Sequence, residues 1–85
     1  MEFEWDAAKS AKVETERGAS FEKLAEVIVE GGFLGIEENP GYIGQLFFIV
    51  PFKREIWCVA VEPRGQTLRI ITAYPSRKWS KKYGS

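Results

Sequence analysis

Apolar and acidic residues alternate at the start of the chain: Phe3 and Trp5 stand between Glu2, Glu4 and Asp6, the period-two pattern of a short half-buried strand. Asp6 then serves as the N-cap of a helix over residues 7–17, a stretch rich in helix formers that Gly18 terminates. Its apolar face is thin, made of Ala8, Ala11 and Thr15, which predicts a helix lying against the domain rather than through it. Ser20 caps a second helix, in which Phe21, Leu24, Ala25 and Ile28 recur at i, i+3, i+4 and i+7 before Gly31 and Gly32 end it. From Phe33 the period changes, and strands are expected over residues 33–37, 45–52, 55–62 and 67–74. Asn39-Pro40-Gly41, Lys53-Arg54 and Pro63-Arg64-Gly65-Gln66 supply the intervening turns. Ser76 caps a short last helix with Trp79 and Tyr83 on one side. The predicted order is β-α-α-β-β-β-β-α: one α+β domain over residues 1–85, with a mainly antiparallel sheet, two N-terminal helices and a short basic C-terminal helix.

The runs Leu46-Phe47-Phe48-Ile49-Val50 and Ile56-Trp57-Cys58-Val59-Ala60-Val61 are apolar at both parities, which a sheet tolerates only where both of its faces are covered. The two helices are expected to cover one face. The other needs the C-terminal segment, a second copy of the chain as a homodimer, or a different protein, because a large exposed apolar patch is unusual on a monomer.

Composition removes several classes of chemistry. The 85 residues contain no His and one Cys, so an internal disulfide, a zinc module and Ser-His-Asp or Cys-His catalysis are all excluded, and no metal or cofactor is expected. The apolar runs are interrupted by Lys53, Arg54 and Glu55 well short of the roughly 18 residues a membrane span needs. With its acidic start, the chain is expected to be cytoplasmic.

The balanced charge, twelve basic and twelve acidic groups, conceals an asymmetry. Residues 1–63 hold all twelve acids and six bases, a net of −6, whereas residues 64–85 hold Arg64, Arg69, Arg77, Lys78, Lys81 and Lys82 with no acid. Such a block suits a polyanion, whose phosphates Lys and Arg neutralise with release of counterions; a solvated helix end is the plainer alternative.

Three segments resemble one family. Phe3-Glu4-Trp5-Asp6-Ala7-Ala8-Lys9 looks like the F-x-W-D-x-x-K start of the BrnT-like toxins. Arg17-Gly18-Ala19-Ser20-Phe21-Glu22 is similar to their H-G-V-S-F-E, and Tyr74-Pro75-Ser76-Arg77-Lys78-Trp79-Ser80-Lys81-Lys82-Tyr83 to their P-S-R-K-A-T-K-K-Y endings. The resemblance spans nearly the whole chain. It implies a RelE-like fold and the toxin of a type II toxin–antitoxin pair, an endoribonuclease that stops translation and is neutralised by a BrnA-like antitoxin. It also puts Lys9, Arg77 and Lys78 at motif positions. Arg17 stands where the family usually has His; Arg binds phosphate but is a poor proton shuttle.

Cleavage of RNA through its 2′-OH requires a proton acceptor, stabilisation of the charged transition state and a proton for the leaving 5′-oxygen. Lys9, Arg69, Arg77 and Lys78 are the expected phosphate ligands. Tyr74 and Lys78 rank first for proton transfer, ahead of Tyr83, Glu37, Glu38 and Glu62. Arg17, Lys81, Lys82, Tyr83 and Trp79 are assigned to RNA binding, although Trp79 has docking of the last helix as its simpler role. Two further expectations stand beside this one: a catalytically inactive protein- or nucleic-acid-binding module of the same fold, and a gyrase-directed toxin.

Overall fold

The computed structural model describes residues 1–84 and consists of β1 (Glu2–Glu4), α1 (Ala7–Arg17), α2 (Phe21–Val29), β2 (Gly35–Glu38), β3 (Leu46–Phe52), β4 (Glu55–Arg64), β5 (Thr67–Pro75) and α3 (Arg77–Tyr83). The order of elements matches the hydropathy pattern. The five strands form one sheet in the order β1-β5-β4-β3-β2, in which β1 runs parallel to β5 and every other pair is antiparallel. A parallel pairing needs a long crossover. Here the chain leaves β1 at one edge, crosses a face of the sheet as α1 and α2, and re-enters at the opposite edge as β2.

The capping residues act as their chemistry requires. The Asp6 carboxylate accepts from Lys9 N–H at 3.0 Å, the Ser20 hydroxyl from Lys23 N–H at 3.2 Å, and the Ser76 hydroxyl from Trp79 N–H at 3.3 Å. Gly18, at φ +102°, ends α1 in the left-handed region that a side chain would disfavour. At the β3–β4 hairpin both central residues, Lys53 and Arg54, have positive φ, as a two-residue turn that follows the strand twist demands.

Alternation separates two apolar layers. Phe48 and Val50 of β3, Trp57, Val59 and Val61 of β4 and Ile70 and Ala73 of β5 pack beneath Val13 of α1 and Phe21, Leu24, Ala25 and Ile28 of α2. On the reverse face Ile49 and Cys58 are covered by Trp79 of α3, with Phe47, Ile56, Tyr74 and Tyr83 around them. The C-terminal segment is therefore the cover for one end of the second face. A seven-residue helix does not persist alone; Trp79, 8% exposed, anchors it, and truncating a buried Trp typically costs about 3–5 kcal/mol.

Several expectations need correction. Ala8, Ala11 and Thr15 are exposed, and α1 instead buries Ser10 and Val13. Hydropathy misses Ser10 because its burial is set by a hydrogen bond: its hydroxyl accepts from Phe21 N–H at 2.9 Å, satisfying a donor that the first turn of α2 leaves free. The β2 strand begins at Gly35, not Phe33, because the Phe33 ring turns inward to meet Phe48 edge-on at 5.1 Å. Pro63 and Arg64 belong to β4, paired with Leu68 and Thr67, so the turn narrows to Gly65 and Gln66 with Gly65 at φ +60°. The pairs Ala60–Thr72 and Val61–Ile70 leave Ile71 as an extra residue in β5, a bulge that lets Leu68, Ile70 and Ala73 all reach the helix-covered core.

Replacing Ser10 with Ala strands the Phe21 N–H in a buried place, and the expected loss of about 1–3 kcal/mol in unfolding free energy is measurable by urea denaturation. Ala11→Ser, one position away on the exposed side, is expected to be neutral.

Candidate functional site

The part of the reverse face that α3 leaves uncovered is a hollow of about 630 Å³. Its floor is Phe47, Ala60, Thr72 and Tyr74 from the three central strands, and its walls are Lys9 of α1 on one side and the loop from Asn39 to Gln45 on the other. The β1–β5 pairing explains why a helix residue reaches this face. The pairing stops at Arg69, so the remaining edge of β5 is free, and α1 lies along it. Arg17 occupies that edge: its Nη1 donates to the Ala73 carbonyl at 2.9 Å and meets Thr72 Oγ1 at 3.4 Å. The rest of its guanidinium makes no hydrogen bond or ion pair among the described residues.

Tyr74 is the half-buried hydroxyl of the hollow. Its pKa is pushed up to about 12, first by burial and then by the Cys58 thiol beside it, with the positive charge of Arg17 opposing the rise. Burial also raises the Cys58 pKa. Both groups are consequently protonated at neutral pH, and Tyr74 is a proton donor there. Among the described residues no carboxylate lines the hollow. Lys9, Arg17, Thr72 and Tyr74 make it a place that offers hydrogen-bond donors and positive charge.

The remaining sequence-derived residues are dispersed. Arg69 is bound to Glu4 at 3.0 Å, and Thr67 donates to the same carboxylate at 2.7 Å, which locks β1 to β5. Together, led by the Thr67 hydrogen bond, they hold the Glu4 pKa below its ordinary value. Arg77 faces a different hollow with Arg54, Glu55 and Ser80. Lys78 lies over the Trp79 ring at 4.7 Å, and Trp79 takes the docking role. Lys81 is exposed, its side chain making no hydrogen bond or ion pair among the described residues. Lys82 Nζ binds Glu37 at 2.7 Å, the Tyr83 hydroxyl donates to the same carboxylate, and the Tyr83 ring sits against Gly35, where a Cβ would come within 2.7 Å of it. Glu37 is thus occupied as a clasp for α3, and Glu62 pairs with Arg64 at 3.5 Å. Of the ten residues singled out from the sequence, Lys9 and Tyr74 share the hollow and Arg17 borders it. Gln45, Asn39, Tyr42 and Thr72 were not anticipated, because only the folded topology brings them opposite Lys9.

Among the described residues no group of three or more His, Cys, Asp or Glu side chains is placed to hold a metal ion, and no helix is long and apolar enough to cross a membrane. No known protein family, curated protein or solved structure matches the chain.

The clasp has a signed pH dependence. Its hydrogen bonds, that from Lys82 first, lower the Glu37 pKa from 4.5, so its stabilisation is present above that value and lost as pH falls through the lowered folded-state pKa. The Lys82 and Tyr83 pKa values are raised from 10.5 and 10.0, chiefly by the hydrogen bond to Glu37, so their share is present below those values and lost at more alkaline pH. Urea midpoints measured between pH 6 and pH 3 are expected to fall less steeply for Glu37→Gln than for the parent.

Proposed function

We propose that this chain is a toxin-like endoribonuclease of the type II toxin–antitoxin kind, with the hollow between α1 and the Asn39–Gln45 loop as its RNA site. The observation that carries the reading is that Lys9 and Tyr74, from opposite ends of the chain, line one hollow that Arg17 borders at Thr72, with no lining carboxylate among the described residues. All three lie in the segments that resemble the BrnT-like toxins. That resemblance supports a BrnA-like antitoxin as partner, covering the hollow or the open sheet face, and the cytoplasm as the place of action.

The roles follow from the chemistry of each group. The Arg17 fork and the Lys9 ammonium bind non-bridging oxygens of the scissile phosphate and stabilise the charge that grows on them. The Tyr74 hydroxyl, protonated up to about pH 12, gives its hydrogen bond to the phosphate or to the departing 5′-oxygen. The attacking 2′-OH loses its proton to water, and the rate comes from positioning and electrostatics. Arg77, Lys78 and Lys81, on exposed α3 positions, extend the attraction to the RNA backbone beyond the hollow.

A second reading has an observation of its own. Among the described residues neither a carboxylate nor an imidazole lines the hollow to act as general base, which favours a module of the same fold that binds RNA or protein without cleaving. Controlled expression in bacteria separates the two. Growth arrest with loss of RNA is expected from the parent, a Tyr74→Phe variant is expected to cleave about 100-fold more slowly, and Lys9→Ala is expected to relieve the arrest. Folded parent protein that leaves growth and RNA intact selects the binding module.

A further inference from the structure

A second hollow, of about 450 Å³, lies on the helix-covered side of the sheet, between β1 and α2. Its floor is apolar, made of the half-buried rings of Phe3 in β1 and Trp5 just beyond it, with Ala25 and Val29 of α2 beside them. Phe3 is held by its edge-on contact with Phe48 at 6.2 Å, so this floor is preformed. Val29 is 58% exposed, apolar area that nothing in this chain covers among the described residues.

Glu22, Glu26 and Glu30 stand along the rim. They follow one another at four-residue steps and form a row about 12 Å long on one side of α2. A smaller hollow of about 300 Å³ shares Trp5 and Glu22, carries the groove on to α1 and adds Glu14. No Lys or Arg lines either hollow, and none of the four carboxylates makes an ion pair among the described residues. The helix itself does not call for the row. Glu22 suits the first turn, but Glu26 repels a like charge one turn away on either side, and Glu30 is the C-terminal cap, where the helix dipole disfavours a negative charge.

We propose that this groove docks a segment of a partner protein in which apolar side chains are flanked by Lys or Arg. The apolar side chains bury against Trp5 and Val29, and the cations meet the glutamate row. A phosphate backbone is repelled by the same carboxylates, so this is a surface for protein and not for RNA. The proposal is independent of the RNA reading, since this groove and the hollow at Lys9 and Tyr74 share no lining residue.

Fluorescence anisotropy at low salt with short fluorescein-labelled peptides of Leu and Lys tests it, one with Leu at helical spacing and one with Leu and Lys alternating, so that either backbone shape can enter. At least one of them is expected to bind about tenfold more tightly than its counterparts with Glu in place of Lys or Ala in place of Leu. The triple variant Glu22→Gln/Glu26→Gln/Glu30→Gln, changed only at exposed positions, is expected to weaken that peptide about tenfold, as the loss of three exposed ion pairs should. Val29→Ser is expected to weaken it about threefold through lost apolar contact. An affinity unchanged in either variant, a Lys/Ala peptide that binds as tightly as its Lys/Leu counterpart, or failure of the folded parent to bind either Lys/Leu peptide overturns the assignment.

Discussion

The central strand β4 is buried on both sides, and most features of the molecule answer that constraint. Between Trp57 and Val61 no residue is more than 3% exposed, so each face of the sheet must be covered by other parts of the same chain. Phe21, Leu24 and Ile28, all within 1% of complete burial, cover one face at about 1.5–3 kcal/mol per apolar side chain. On the other face Trp79 packs over Ile49 and Cys58 at one end of the sheet, and it brings α3 with it. What lies beyond the reach of that short helix stays open, and the open remainder is the candidate site.

The elements were legible in the sequence wherever burial is one-sided or a cap is encoded. Phe21 to Ile28 reads as a helix because the spacing matches one face, and Asp6, Ser20 and Ser76 mark the helix starts through hydrogen bonds that need only local geometry. The buried side of α1 was not legible, because Ser10 goes inside for a hydrogen bond and not for hydrophobicity. Nor was the β1–β5 pairing, which joins residues more than sixty positions apart and has no local signature.

That pairing decides the candidate site. By placing α1 along the free edge of β5, it brings Lys9 and Arg17 to Thr72 and Tyr74, whereas charge counting along the chain points to the tail. The six basic residues of the last segment look equivalent in one dimension. In the fold they are not: Arg69 neutralises Glu4, Lys82 neutralises Glu37 and Arg77 faces another hollow. Of the residues that the resemblance puts at motif positions, Lys9 lines the hollow, whereas Arg77 faces another one and Lys78 lies over the Trp79 ring.

The resulting site is rich in donors. A protonated Tyr74, an ammonium and a guanidinium suit a phosphodiester in its ground state and still more the additional charge of its transition state. The central claim is that the hollow, and not the basic tail, is where RNA first makes specific contact. Two-dimensional NMR of isotope-labelled protein titrated with a short uncleavable single-stranded RNA tests this most directly. The account predicts the largest shifts at Lys9, Arg17, Gln45, Thr72 and Tyr74. Shifts confined to Arg77, Lys78, Lys81 and Lys82, with the hollow unmoved, would contradict it.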